Sequence, residues 1–144
     1  DPAHAGDYRA QLATFQQTLE RRLSTWQAQL APLRDQPMLA YHPSFVYLAQ
    51  AFGWRIVAHV EPQPGIPPSA AHLQQLIGVI RAQKIGVLIM EPYYERRSGE
   101  YLARETGIKV VVLPQSVGAR ADIVTYADLF DSIVTAFKAA GALP

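Results

Sequence analysis

The chain contains no cysteine, which removes disulfides, thiolate metal sites and a cysteine nucleophile from consideration. Charge is also scarce: 17% of residues are charged and the formal net charge is +1. Acidic and basic residues are interspersed, so no electrostatic argument favours nucleic acid or anionic lipid as a partner. No apolar run reaches the length of about 18 residues that spans a bilayer. There is no glycine-rich phosphate loop and no Gly-x-Ser-x-Gly elbow. Ser116 precedes Val117 and Gly118, but nothing local activates it, and no enzyme activity is expected. Hydrophobic residues make up 49% of the 144, enough for one ordinary core.

The chain begins at Asp1, with neither an initiator methionine nor a basic and apolar signal segment. We therefore expect a mature or trimmed product with sequence missing upstream. Asp1-Pro2 supplies a cap acceptor and a ring without an N–H, a combination that starts helices. Tyr8, Leu12, Phe15, Leu19, Leu23, Trp26, Leu30 and Leu33 then recur at helical spacing. A helix over about residues 3–31 would be about 43 Å long at roughly 1.5 Å per residue. A compact chain of this size is only about 40 Å across. The helix is expected to overhang, with its stripe covered by an absent domain or a second copy.

Beyond Pro32 and Pro37 the pattern becomes strand and helix in alternation. Short apolar runs at 38–41, 56–60, 87–90 and 110–113 read as strands. Between them, helices are expected from a Ser44 cap to Gly53, from a Ser69 cap through Ile80, and from about Tyr93 to Thr106. A last helix carries Tyr126 through Phe137. Four prolines and a glycine make 61–68 a rigid loop. Such alternation, with strands almost wholly apolar, predicts an α/β fold: a four-stranded parallel sheet with helices on both faces, preceded by one long amino-terminal helix. The expected division is a linking helix over residues 1–34 and an α/β lobe over 35–144.

Three of the runs end in an ionisable residue followed at once by proline: His42-Pro43, Glu61-Pro62 and Glu91-Pro92. In a parallel sheet these residues collect on the carboxyl rim, where open α/β sheets bind ligands. His42 has its backbone held extended by Pro43 and is the candidate metal donor, since neutral imidazole is the commonest protein donor to zinc. Glu61 and Glu91 are read as accepting backbone N–H groups within their own proline turns. His4 and His72 read as surface residues, and His59 as a hydrogen-bonded core histidine. Tyr93-Tyr94 with Arg96-Arg97 reads as a solvated helix start rather than an anion site.

Four ordered segments carry a resemblance. They are Tyr41-His42-Pro43-Ser44-Phe45-Val46-Tyr47-Leu48 with Phe52-Gly53, Glu61 through Ser69, Glu91-Pro92-Tyr93-Tyr94, and Leu113 through Gly118. Over nearly its whole length the chain resembles the carboxyl-terminal lobe of the zinc- and manganese-binding solute-binding proteins of bacterial ABC transporters. That resemblance implies an extracytoplasmic, periplasmic carrier that holds one metal ion between two lobes and delivers it to a membrane permease. It implies zinc rather than manganese, because His42 stands at the position where the family places a histidine or glutamate, and histidine there usually goes with zinc. Two further histidines would come from the absent amino-terminal lobe. The family's aspartate before the last helix falls on Val124 here, so Asp122 or a water or chloride is the implied fourth ligand. A stand-alone interaction module that dimerises through the long helix, without a metal, is the competing reading. A small hydrolase using His42 with Glu61 or Glu91 is a weaker one.

Overall fold

Successive residues of a strand face opposite ways, so a strand that is apolar throughout serves two cores. Met38 and Ala40 pack with Val87, Ile89, Val111 and Leu113 in one cluster, whereas Leu39 and Tyr41 pack with Leu88 and Met90 in the other. In the computed structural model, which describes residues 1–143, the strands are β1 (Pro37–Ala40), β2 (Arg55–His59), β3 (Val87–Met90) and β4 (Lys109–Val112). All pairings are parallel and the sheet order is β2-β1-β3-β4. Helices α1 (Ala5–Leu30), α2 (Val46–Phe52) and α5 (Tyr126–Ala139) contribute to the first cluster. Helices α3 (Ala70–Gln83) and α4 (Arg97–Thr106) contribute to the second. The expected fold class is the observed one.

Sheet order decides where a ligand can sit. The chain runs outward from β1 to β2, then returns across β1 to reach β3 and β4. Loops leaving β1 and β3 therefore diverge at a topological switch point, where open α/β sheets form their crevice.

Helix α1 is 26 residues long, about 39 Å at 1.5 Å per residue. None of residues 1–18 is buried, and Tyr8, Leu12 and Phe15 of the stripe are more than half exposed, whereas Trp26, Leu30 and Leu33 are buried. Among the described residues the helix is fastened at its carboxyl-terminal end alone. There the Trp26 ring stacks on Phe130 at 4.8 Å, and its Nε1–H donates to Asp131 Oδ1 at 2.7 Å. Arg22 donates to the other oxygen of the same carboxylate at 2.6 Å. Asp131 is the clamp between α1 and α5.

Several element starts differ from expectation for local reasons. Ser44 does not cap α2: Pro43 opens a 3-10 turn over Pro43–Phe45, and α2 follows from Val46. Helix α4 begins at Arg97 rather than near Tyr93, without a side-chain cap. The residues in between form turns that bring the Tyr94 ring onto Tyr41 at 4.6 Å. Ser69 does cap α3, its hydroxyl accepting from His72 N–H at 3.2 Å. Thr125 and Asp128 close a capping box at the start of α5. Gly53 ends α2 at φ +70, and a Cβ added there would lie 3.3 Å from Arg34 Cγ. Gly53→Ala should therefore cost about 1–2 kcal/mol, the usual penalty of a left-handed L-residue, read as a lower urea midpoint with an unchanged slope.

Candidate metal centre

The residue before a proline is pushed into extended backbone, and His42 has φ −130 and ψ 160. The main chain continues its ladder past the strand ends, with Val60 N–H donating to the Ala40 carbonyl and Glu61 N–H to that of Tyr41. Register thus places Glu61 beside His42 on the rim. His42 Nδ1 is hydrogen-bonded to Glu61 Oε2. The other Glu61 oxygen accepts from Gly65 N–H at 2.8 Å, which fixes the carboxylate against its own proline-rich loop.

This pairing favours Nε2 as the free imidazole nitrogen. A carboxylate acceptor favours the tautomer with its proton on Nδ1 and leaves the Nε2 lone pair for a ligand, the arrangement that orients metal-binding histidines. The His42 side chain is 23% exposed and that of Glu61 only 6%, so the acceptor is enclosed while the imidazole keeps an open edge. Tyr94 flanks the ring at 5.7 Å between centroids. The bracing role read for Glu61 is present, joined by contact with His42 that the sequence reading did not assign.

Glu91 behaves differently. It is fully buried, and its Oε2 has no hydrogen-bond partner among the described residues. Its Oε1 accepts from Gln115 Nε2 at 3.5 Å, and Gln115 in turn accepts from the Tyr93 hydroxyl at 2.7 Å. Burial raises its pKa, with the Ser44 hydroxyl pulling the other way. Through Gln115, Glu91 ties the loop after β3 to the loop after β4.

Asp122 lies on the loop before α5 with its side chain 65% exposed. Both of its oxygens are held by Arg120, at 3.0 and 2.7 Å, and this hydrogen bonding holds its carboxyl below the usual range. No group of three or more histidine, aspartate or glutamate side chains suited to a metal occurs among the described residues. His42 is thus an imidazole oriented by Glu61, and Asp122 an arginine-paired carboxylate on the loop before α5. His4 lies on the surface between Asp1 and Asp7. His72 is partly buried and contacts the His59 carbonyl at 3.2 Å through Nε2. No helix is long and apolar enough to cross a membrane among the described residues.

Comparison with known proteins gives one consistent result. A family model described as "Zinc-uptake complex component A periplasmic" matches residues 1–140. The high-affinity zinc uptake system protein ZnuA of Brucella abortus (strain 2308) is 26% identical over 95 residues, covering 66% of this chain and 28% of that protein. The protein of the same name from Haemophilus influenzae is 27% identical over 99 residues, covering 69% of this chain and 29% of that one. Among solved structures, a crystal structure of ZnuA superposes with a TM-score of 0.74 at 29% identity, covering 98% of this chain and 51% of the other. The solute-binding protein FpvC from Pseudomonas aeruginosa in complex with Mn2+ gives 0.69 at 26% identity, covering 98% of this chain and 55% of its own. The chain spans about half the length of these solved chains and under a third of these curated relatives.

Proposed function

The chain belongs to the family of the periplasmic component A of zinc-uptake complexes, and from that premise we propose that it is the carboxyl-terminal lobe, with the linking helix, of a zinc carrier for an ABC transporter. Residues 1–34 are the link and residues 35–144 the lobe. The carrier captures zinc outside the cytoplasm and passes it to a membrane permease without chemistry. The observation that carries the reading is the Glu61–His42 pair, which leaves Nε2 of an oriented, part-exposed imidazole as a donor on the crevice rim.

Zinc is preferred over manganese as cargo because imidazole suits zinc, whereas manganese takes more oxygen donors. One imidazole does not make a tight site. Closed zinc sites are tetrahedral, and the remaining donors come from an amino-terminal lobe, with Asp122, water or chloride as the last. For Asp122 to serve, it must exchange Arg120 for the ion. The exposed stripe of Tyr8, Leu12 and Phe15 supports a body seated along α1. A second copy of the chain on the same stripe is the alternative, and a dimer that binds no zinc would favour it.

Nitrogen-detected NMR of the histidine rings tests the assignment directly. On titration with zinc, His42 should show metal attachment at Nε2 while Nδ1 keeps its proton. Attachment at Nδ1, or an unmoved His42 ring at saturating zinc, would overturn the reading.

A further inference from the structure

Strand β1 lies between β2 and β3, and each of those neighbours runs into a buried carboxyl, Glu61 past β2 and Glu91 past β3. The β1–β3 ladder also continues to the rim, where Tyr41 N–H donates to the Ile89 carbonyl at 2.8 Å. Glu61 engages the His42 ring. The carboxyl of Glu91 instead comes within range of the Ser44 hydroxyl, two residues past His42 on the Pro43–Phe45 turn. That hydroxyl also acts on the Tyr93 hydroxyl, which donates to Gln115, whose amide reaches back to Glu91 Oε1. Polar groups of the loops after β1, β3 and β4 thus surround one carboxyl that has no exposed surface. Its Oε2 has no partner at hydrogen-bond distance among the described residues, and a buried acceptor left so costs about 1–3 kcal/mol. Ser44 is the group at hand to relieve it.

We propose that Glu91 is a positioning residue for metal capture: its buried carboxyl anchors the Ser44 turn from the β3 side and so fixes the direction in which His42 presents Nε2. This role rests on the reading of His42 as a zinc donor. The turn has no side-chain cap of its own. Phe45 is buried and holds its far end, whereas Ser44 is exposed and is not fixed by packing. The His42 end is therefore left to hydrogen bonding. Glu61 orients the imidazole about its own bonds, and Glu91 acts on the backbone that carries it. Both are needed where a ligand must be held to within about 0.5 Å. Burial raises the pKa of Glu91, and a neutral carboxyl offers one donor and one acceptor as an amide does, so Glu91→Gln is the conservative variant.

Zinc should be titrated into the 144-residue chain and into Glu91→Ala, Glu91→Gln, Ser44→Ala and His42→Ala, with affinity read by competition against an indicator dye. The His42 ring nitrogens should be followed by NMR in each zinc-free protein that keeps the ring. Glu91→Ala should lose about tenfold in affinity, the smallest effect ordinarily seen when a metal ligand loses a supporting group, and its His42 ring signals should move. Glu91→Gln should restore both. Ser44 is exposed, so Ser44→Ala carries the test even if Glu91→Ala fails to fold, and it should lose about threefold, half of that effect on a logarithmic scale. If His42→Ala weakens binding while Glu91→Ala and Ser44→Ala lower only the urea midpoint, leaving zinc affinity and the His42 ring unchanged, Glu91 is a loop brace alone and the carrier reading stands. If His42→Ala also leaves zinc affinity unchanged, both readings fail.

Discussion

Trp26→Ala should destabilise the protein by about 3–5 kcal/mol, the cost of emptying a buried large aromatic site, seen as a large fall in the urea midpoint. The ring is 1% exposed, stacks on Phe130 and donates to Asp131. Alanine would leave a void between α1 and α5 and deprive a carboxylate of one of its two donors. Asp131→Asn makes the contrast. Its amide oxygen can still accept the indole N–H, and what goes is an ion pair with Arg22 in which both side chains are about half exposed. Exposed pairs of that kind contribute about 0–1 kcal/mol. A Trp26→Ala cost below about 1 kcal/mol would mean that α1 is not part of the lobe's cooperative core.

The second large effect is on metal affinity. His42→Ala should abolish measurable zinc binding to this chain at concentrations that saturate the unsubstituted protein. Glu61→Ala should weaken it by about 10–100-fold, the usual cost of losing a carboxylate that orients a ligating imidazole. Glu61→Gln should fall between Glu61→Ala and the parent chain, because an amide oxygen can still accept from Nδ1–H but without the charge. Zinc competition measures all three. Equal affinities for Glu61→Ala and the parent chain would show that the imidazole is not oriented by its neighbour.

Periodicity carried most of the fold. Runs such as Val87-Leu88-Ile89-Met90 are apolar on both faces, and that property belongs to buried parallel strands. Strand ends marked by His42, Glu61 and Glu91 located the rim. Pairing was harder to read, because Glu61 meets His42 only if β2 lies next to β1, and sheet order is not written in any local pattern. The start of α4 was misplaced for a similar reason: Tyr94 is taken out of the helix by Tyr41, a residue more than fifty positions away. His59 shows the limit most plainly. Its strand position was legible, but it shares with His42 a cavity made by α2 and β1 packing over the sheet edge.

The clamp on α1 also has a mechanical side. Trp26 and Tyr8 are 18 positions apart in one continuous helix, a rigid arm of about 27 Å at 1.5 Å per residue. With support at one end only, a tilt of about 5° at the Trp26–Asp131 clamp moves Tyr8 by about 2.4 Å over that arm. Whatever rests on the free end is geared to α5, the helix that begins just past the Asp122 loop. A small tilt of α5 is therefore carried to the far tip of α1 as a displacement larger than the one at the clamp.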